Sequence, residues 1–169
     1  MQKEGNVMVE KLNGMPEAYA EVKGSDQYPE IHGMVYFFDV YGGTIVMAEI
    51  YGLPDEESQE TGEFFAFHIH EGKDCRGDGK EAFPDAGKHY NPEHKEHPEH
   101  AGDLPPLLST YGAAWNAVYT GRFHPDDVTG RTVIIHKDPD DFHTQPSGNS
   151  GEMIACGEIR EWALQEMEK

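Results

Sequence analysis

The sequence predicts an all-β domain, an eight-stranded antiparallel Greek-key β-barrel or sandwich with one long loop and a short C-terminal helix. Three observations carry that expectation. Short runs rich in Val, Ile, Tyr and Phe recur along the chain between turn signals. Helical spacing of apolar residues occurs only at the C-terminal end. The stretch from Gly72 to Tyr111, full of glycine, proline and charge, is too long for an idle connection and reads as a loop held by function or ligand. With 169 residues and 37% hydrophobic content, the chain suits one domain with a real core.

Ala18 to Lys23, Met34 to Val40 and Thr44 to Tyr51 are expected to open the domain as three antiparallel strands, with Tyr41-Gly42-Gly43 as the hairpin turn between the last two. Phe64 to Glu71 and Gly112 to Tyr119 continue the series, and Thr132 to His136 and Met153 to Ile159 close it. Beyond them, Ile159, Trp162, Ala163 and Met167 are spaced to share one helical face, which predicts a packed helix from Arg160 to Lys169. Residues 1–16 form an N-terminal extension, 17–160 the domain and 161–169 the helical tail.

Thirteen basic against 32 acidic residues give a formal charge of -19, a field that repels phosphate backbones and anionic membrane surfaces, so nucleic acid and membrane are not expected partners. No apolar run approaches the roughly 20 residues that cross a bilayer. Met1 to Gly14 has neither the basic start nor the apolar stretch of a signal peptide. The chain as written is expected in the cytoplasm; the alternative is an exported protein with its signal removed. Cys75 and Cys156 are too few for a disulfide scaffold, and their spacing leaves open whether they pair.

Histidine carries the chemistry. In Phe67-His68-Ile69-His70-Glu71 the strand-like alternation points His68 and His70 to one side, where two imidazoles can grip one metal ion. Two ordinary polar histidines are the bland alternative. His89 is followed at plus eight by His97, at plus eleven by His100 and at plus fourteen by Asp103. Three nitrogens and one oxygen suit tetrahedral zinc in a closed, structural site, against the alternative of a solvated, histidine-rich acidic loop. His136 ends the apolar run Thr132-Val133-Ile134-Ile135. With His68, His70 and His89 it would complete four nitrogens, a set that favours copper(II).

The runs FHIHEGKDC, GKHYNP, HAGDLP, GRTVIIH, DPDD, QPSGNSG and IACGEI occur in this order, and over Ala18 to Arg160 the chain resembles the copper/zinc superoxide dismutases, particularly the bacterial branch. The resemblance implies copper on His68, His70, His89 and His136, and zinc on His89, His97, His100 and Asp103. His89 would bridge the two and carry the catalytic proton. Asp140 would accept hydrogen bonds from His68 and His97, which fixes ligand orientation. It also implies a Cys75–Cys156 disulfide. His32, His94, His124 and His143 fall outside the matching positions and are read as surface residues. A cupin-type metal barrel shares the His-x-His strand but predicts neither the His97-His100-Asp103 cluster nor the paired cysteines.

The chain departs from the family at Met153, where the resemblance sets an arginine beside copper that guides the incoming anion, and its neighbour Glu152 is negative. Superoxide, the implied substrate, is itself an anion, so dismutation is expected to be slowed. Lys88 and Lys137, each next to an implied copper ligand, are candidates for compensation. The neutral thioether of Met153 also suits copper(I). A copper and zinc buffer or delivery domain is the non-enzymatic alternative. A homodimer is allowed by the apolar residues on both faces of Met34 to Val40, and a copper-donor protein is allowed as a further partner.

Overall fold

A computed structural model describes residues 7–55, 63–77 and 80–163. Its strands are β1 (Ala18–Gly24), β2 (His32–Val40), β3 (Gly43–Tyr51), β4 (Phe64–His70), β5 (Asp103–Leu108), β6 (Ala114–Thr120), β7 (Thr132–His136) and β8 (Met153–Glu161). They pair antiparallel in the order β5-β4-β7-β8-β1-β2-β3-β6. β5 and β6, at the two ends of that order, contact each other, so the sheet curls into a nearly closed barrel. Short helices α1 (Val7–Leu12) and α2 (Pro125–Val128) complete the described elements, with a single 3-10 turn at Pro84–Ala86.

The opening meander follows the residue pattern. Alternation along β1 buries Ala18, Ala20 and Val22, and β2 buries Val35 and Phe37 beside them. These join Phe65, Phe67 and Ile69 of β4, Leu107 of β5, and Val133 and Ile135 of β7 in one core inside the barrel. Burial of these side chains is the main stabilising term. α1, inside the expected N-terminal extension, places Leu12 against a smaller cluster of Phe38, Val40 and Ile45.

Two expectations are corrected. β5 lies within the stretch read as loop, and its Pro105-Pro106 pair hides it from a strand pattern. Proline is tolerated there because β5 ends the sheet order and forms its ladder with β4 alone. The helix expected from Arg160 does not begin there. Arg160 and Glu161 belong to β8, paired with Tyr19 and Ala18 of β1. Trp162 N–H then donates to the Glu17 carbonyl (2.9 Å), and its ring packs edge-on against Tyr19 at 5.4 Å between centroids. Ladder pairing and this aromatic contact outweigh a weak helical spacing. Residues 164–169 of the expected tail lie outside the described residues.

Candidate metal centre

Strand alternation builds the first half of the site. Phe65, Phe67 and Ile69 of β4 enter the core, which sends His68 and His70 to the other face. That face is covered, leaving His68 fully buried and His70 3% exposed. β7 repeats the scheme: Val133 and Ile135 face inward, and His136 emerges on the same side as His68. The long loop then returns along the end of β4, where Glu71 N–H donates to the Lys88 carbonyl (2.8 Å) and Tyr90 N–H to the Ile69 carbonyl (2.8 Å). His89 is thereby bridged to His70. One nitrogen from each of His68, His70, His89 and His136 lies within 4.8 Å of the others.

Outer partners decide which nitrogen faces inward. His70 Nδ1–H donates to the Gly87 carbonyl (2.8 Å), His136 Nδ1–H to the Gly151 carbonyl (3.2 Å) and His68 Nε2–H to Asp140 Oδ2 (2.7 Å). Carbonyl and carboxylate oxygens only accept, so in each neutral ring the proton sits outside and the lone pair points into the group. His68 Nδ1 and His89 Nε2 are buried without a hydrogen-bond partner among the described residues, as two nitrogens kept for an ion would be. Burial pushes His68 down to about 4 and His70 to about 3, and it holds His136 well below the ordinary imidazole value. All three are neutral at physiological pH, the form that binds metals.

The second group uses the opposite nitrogen of the same ring. His89 Nδ1 lies 2.8 Å from Asp103 Oδ1 and 3.4 Å from His100 Nδ1, and His97 Nδ1 and His100 Nδ1 lie 3.0 and 3.2 Å from Asp103 Oδ2. Two ligands of one tetrahedral ion, each about 2.0–2.1 Å from it, stand about 3.3 Å apart, so this spacing fits. His97 Nδ1 has no well-angled hydrogen bond despite its closeness to Asp103, as expected of two atoms converging on an ion rather than on each other. Burial alone would raise the Asp103 carboxyl, but the adjoining His89, His97 and His100 outweigh it and hold it below its ordinary value. This group fits a tetrahedral ion with all four positions filled by protein.

Asp140 ties the groups together. Its Oδ2 accepts from His68 and its Oδ1 from His97 Nε2–H (2.8 Å) and Phe142 N–H (2.7 Å). Against the effect of burial, these donors hold its carboxyl down at about 2. Gln145 clamps the His97 backbone from both sides: its Oε1 accepts from His97 N–H (2.9 Å) and its Nε2 donates to the His97 carbonyl (2.7 Å). Gln145 and Gly151 bound the run QPSGNSG and Gly87 opens GKHYNP, but the roles of the Gln145 side chain and of the two glycine carbonyls follow from where the loops land.

Cys75 and Cys156 form a disulfide with Cα atoms 5.8 Å apart, pinning the start of the loop to β8. Met153, opposite His136 across the β7–β8 pair, is partly buried against Ala86, Ile134 and Cys156. It lines a cavity of about 1110 Å³ shared with His70, His89, His136, Lys88 and Glu152. Glu152 accepts from Tyr28 Oη–H (3.1 Å) and pairs with Lys137 (3.5 Å). Lys88 makes no ion pair among the described residues. His32, His94, His124 and His143 are exposed, as expected.

An antiparallel barrel with two histidine-rich groups sharing one imidazole defines a protein built to hold two metal ions side by side. The sequence profile of the copper/zinc superoxide dismutase (SODC) family matches residues 31–159, and the chain belongs to that family. It is 37% identical to a copper-zinc superoxide dismutase of Neisseria meningitidis over 137 residues, 70% of this chain and 73% of that one. Identity with the enzyme of Pasteurella multocida is 34% over 136 residues, covering 70% and 73%. The fold matches the copper/zinc superoxide dismutase structure from Brucella abortus with a TM-score of 0.68 and 25% identity, over 84% of this chain and 99% of that one. Copper and zinc are the metals of this family, and both groups fit such ions.

Proposed function

We propose that the chain dismutates superoxide to dioxygen and hydrogen peroxide, with His68, His70, His89 and His136 holding copper and His89, His97, His100 and Asp103 holding zinc. The sharing of His89 by both groups is the observation that carries this reading. Copper supplies the one-electron cycling in which one superoxide is oxidised and a second reduced. Peroxide formation consumes two protons, and His89 Nε2, buried and without a hydrogen-bond partner among the described residues, is the atom positioned to hold and deliver one. Asp140 keeps the rings of His68 and His97 in fixed orientation and tautomer. The disulfide favours the exported alternative, since such bonds persist in oxidising compartments.

The mouth of the cavity supports a slowed rate. Met153 stands neutral where the family resemblance sets a guiding arginine. Lys137 is paired with Glu152, and Lys80 and Lys88 are the lysines that line the cavity with His89. The same feature favours a second reading, a copper and zinc buffer that retains its ligands without fast anion capture. Pulse radiolysis of protein loaded with one copper and one zinc separates the two. Turnover that persists in the presence of a chelator that silences free copper supports the enzyme; tight copper binding without such turnover supports the buffer and removes the dismutase reading.

A further inference from the structure

The zinc-group ligands His97, His100 and Asp103 occupy a turn whose carbonyls face outward. Three of these oxygens converge on one nitrogen: Arg122 Nη1 lies 2.9 Å from the Pro98 carbonyl, 2.9 Å from that of His100 and 3.2 Å from that of Asp103. Arg122 is not part of the metal loop. It follows β6, and its own N–H donates to Thr120 Oγ1 (3.2 Å), which anchors the arginine to the barrel wall. In a chain with 32 acidic side chains, an arginine is ordinarily drawn to a carboxylate, yet Arg122 makes no ion pair among the described residues. Its charge is directed instead at main-chain oxygens. An Nη group has two protons, so at least one is shared between acceptors, and all three carbonyls are drawn to a common point.

We infer that Arg122 is a positioning residue for the zinc site, one that holds the 98–103 turn in its ligating shape from outside the loop. This rests on the reading of the second group as the zinc site. Gln145 fixes the backbone of His97 on one side of the turn, and Arg122 fixes His100 and Asp103 on the other. Without Arg122, His100 and Asp103 keep their identity but lose their registration to His89, and the ordering of the turn is charged against zinc binding.

The test uses the full chain in two variants. Arg122→Met removes charge and donors while keeping an unbranched stem; Arg122→Lys restores a cation with three donors. Zinc affinity is read by competition with a chromophoric chelator. Site geometry is read from the visible d–d absorption of cobalt(II) placed in the zinc group. The inference requires that Arg122→Met weaken zinc binding by 10- to 100-fold, the usual effect of losing an outer hydrogen-bond partner, with a weakened or shifted cobalt band. Arg122→Lys must recover a substantial part of both. Zinc binding within twofold of the parent and an unchanged cobalt spectrum in Arg122→Met would overturn it. So would equal losses in the Met and Lys variants, which would mark Arg122 as a packing residue. If the parent protein itself shows no tight zinc site, it is the reading of the second group that fails.

Discussion

Gly148 offers a direct trial of the carboxylate that joins the two metal groups. Its φ of +69° lies in the left-handed region, and a Cβ built there falls onto Asp140 Oδ1, 2.6 Å from His97 Nε2 and 2.7 Å from Asp140 Cγ. Ordinary carbon contacts need about 3.5–4.0 Å, so Gly148→Ala has to part the Asp140–His97 hydrogen bond by roughly 1 Å. From 2.8 Å that takes it beyond hydrogen-bond range. A hydrogen bond to a charged group contributes about 1.5–3 kcal/mol, which corresponds to a 10- to 100-fold loss of zinc affinity. Left-handed backbone adds about 1–2 kcal/mol of strain for alanine. Gly130 isolates that second cost, because it has φ +83° with nothing within 4 Å of a built Cβ. Gly130→Ala is therefore expected to lower thermal stability while leaving zinc affinity unchanged, and Gly148→Ala to lower both. Chelator competition on the two variants side by side reads the difference. Zinc binding in Gly148→Ala within twofold of Gly130→Ala would refute the role given to Asp140.

Met153→Arg should raise kcat/KM for superoxide by roughly tenfold and steepen its decline with salt, since a guanidinium at the cavity mouth attracts anions through screenable charge; a stopped-flow series in ionic strength checks this, and no change in either quantity removes the anion-guidance argument. Metal-free protein should lose stability as pH falls from 6.5 through about 4 and then 3: His68, His70 and His136 have depressed values when folded, so the unfolded chain takes up their protons first. Urea midpoints at pH 7 and pH 4.5 measure that loss, and equal midpoints would contradict the burial of these rings. Replacing Cys75 and Cys156 together by serine opens a loop whose ends are 81 residues apart, which the chain-entropy relation values at about 4–5 kcal/mol. A fall in Tm of about 10–15 °C is expected, and a fall below 3 °C would show that the bridge does not constrain the unfolded chain as that relation assumes.

The metal groups were legible where they follow local periodicity and illegible where they follow tertiary placement. His68 and His70 could be read together because a strand repeats every two residues and Phe65, Phe67 and Ile69 fill the alternate face. The pairing of Cys75 with Cys156 could not be read from spacing; register places Cys156 on the outward face of β8, opposite Ile134, where Cys75 comes to meet it. β5 was hidden by two prolines that only an edge strand accepts. The Arg160 end misled because Ile159 and Trp162 satisfy a helical spacing as well as a ladder with β1, and only the presence of β1 decides. Main-chain acceptors such as the Gly87 and Gly151 carbonyls carry no residue signature, and Arg122 is one arginine among others until three carbonyls are seen around it.

Holding metals and working fast depend on different parts of the molecule. The ligand rings are buried, and His68, His70, His97 and His136 are each aligned by an acceptor behind them, so the ion-binding geometry is set by packing and hydrogen bonds that salt hardly screens. The cavity mouth is open to solvent, and its exposed charges Lys88 and Glu152 act on an approaching anion through screened, long-range forces. Met153, which lines that cavity and is no member of either histidine group, belongs to the second system and not to the first. His89 is where the two meet: its ring belongs to both buried histidine groups, and the same residue lines the cavity beside them.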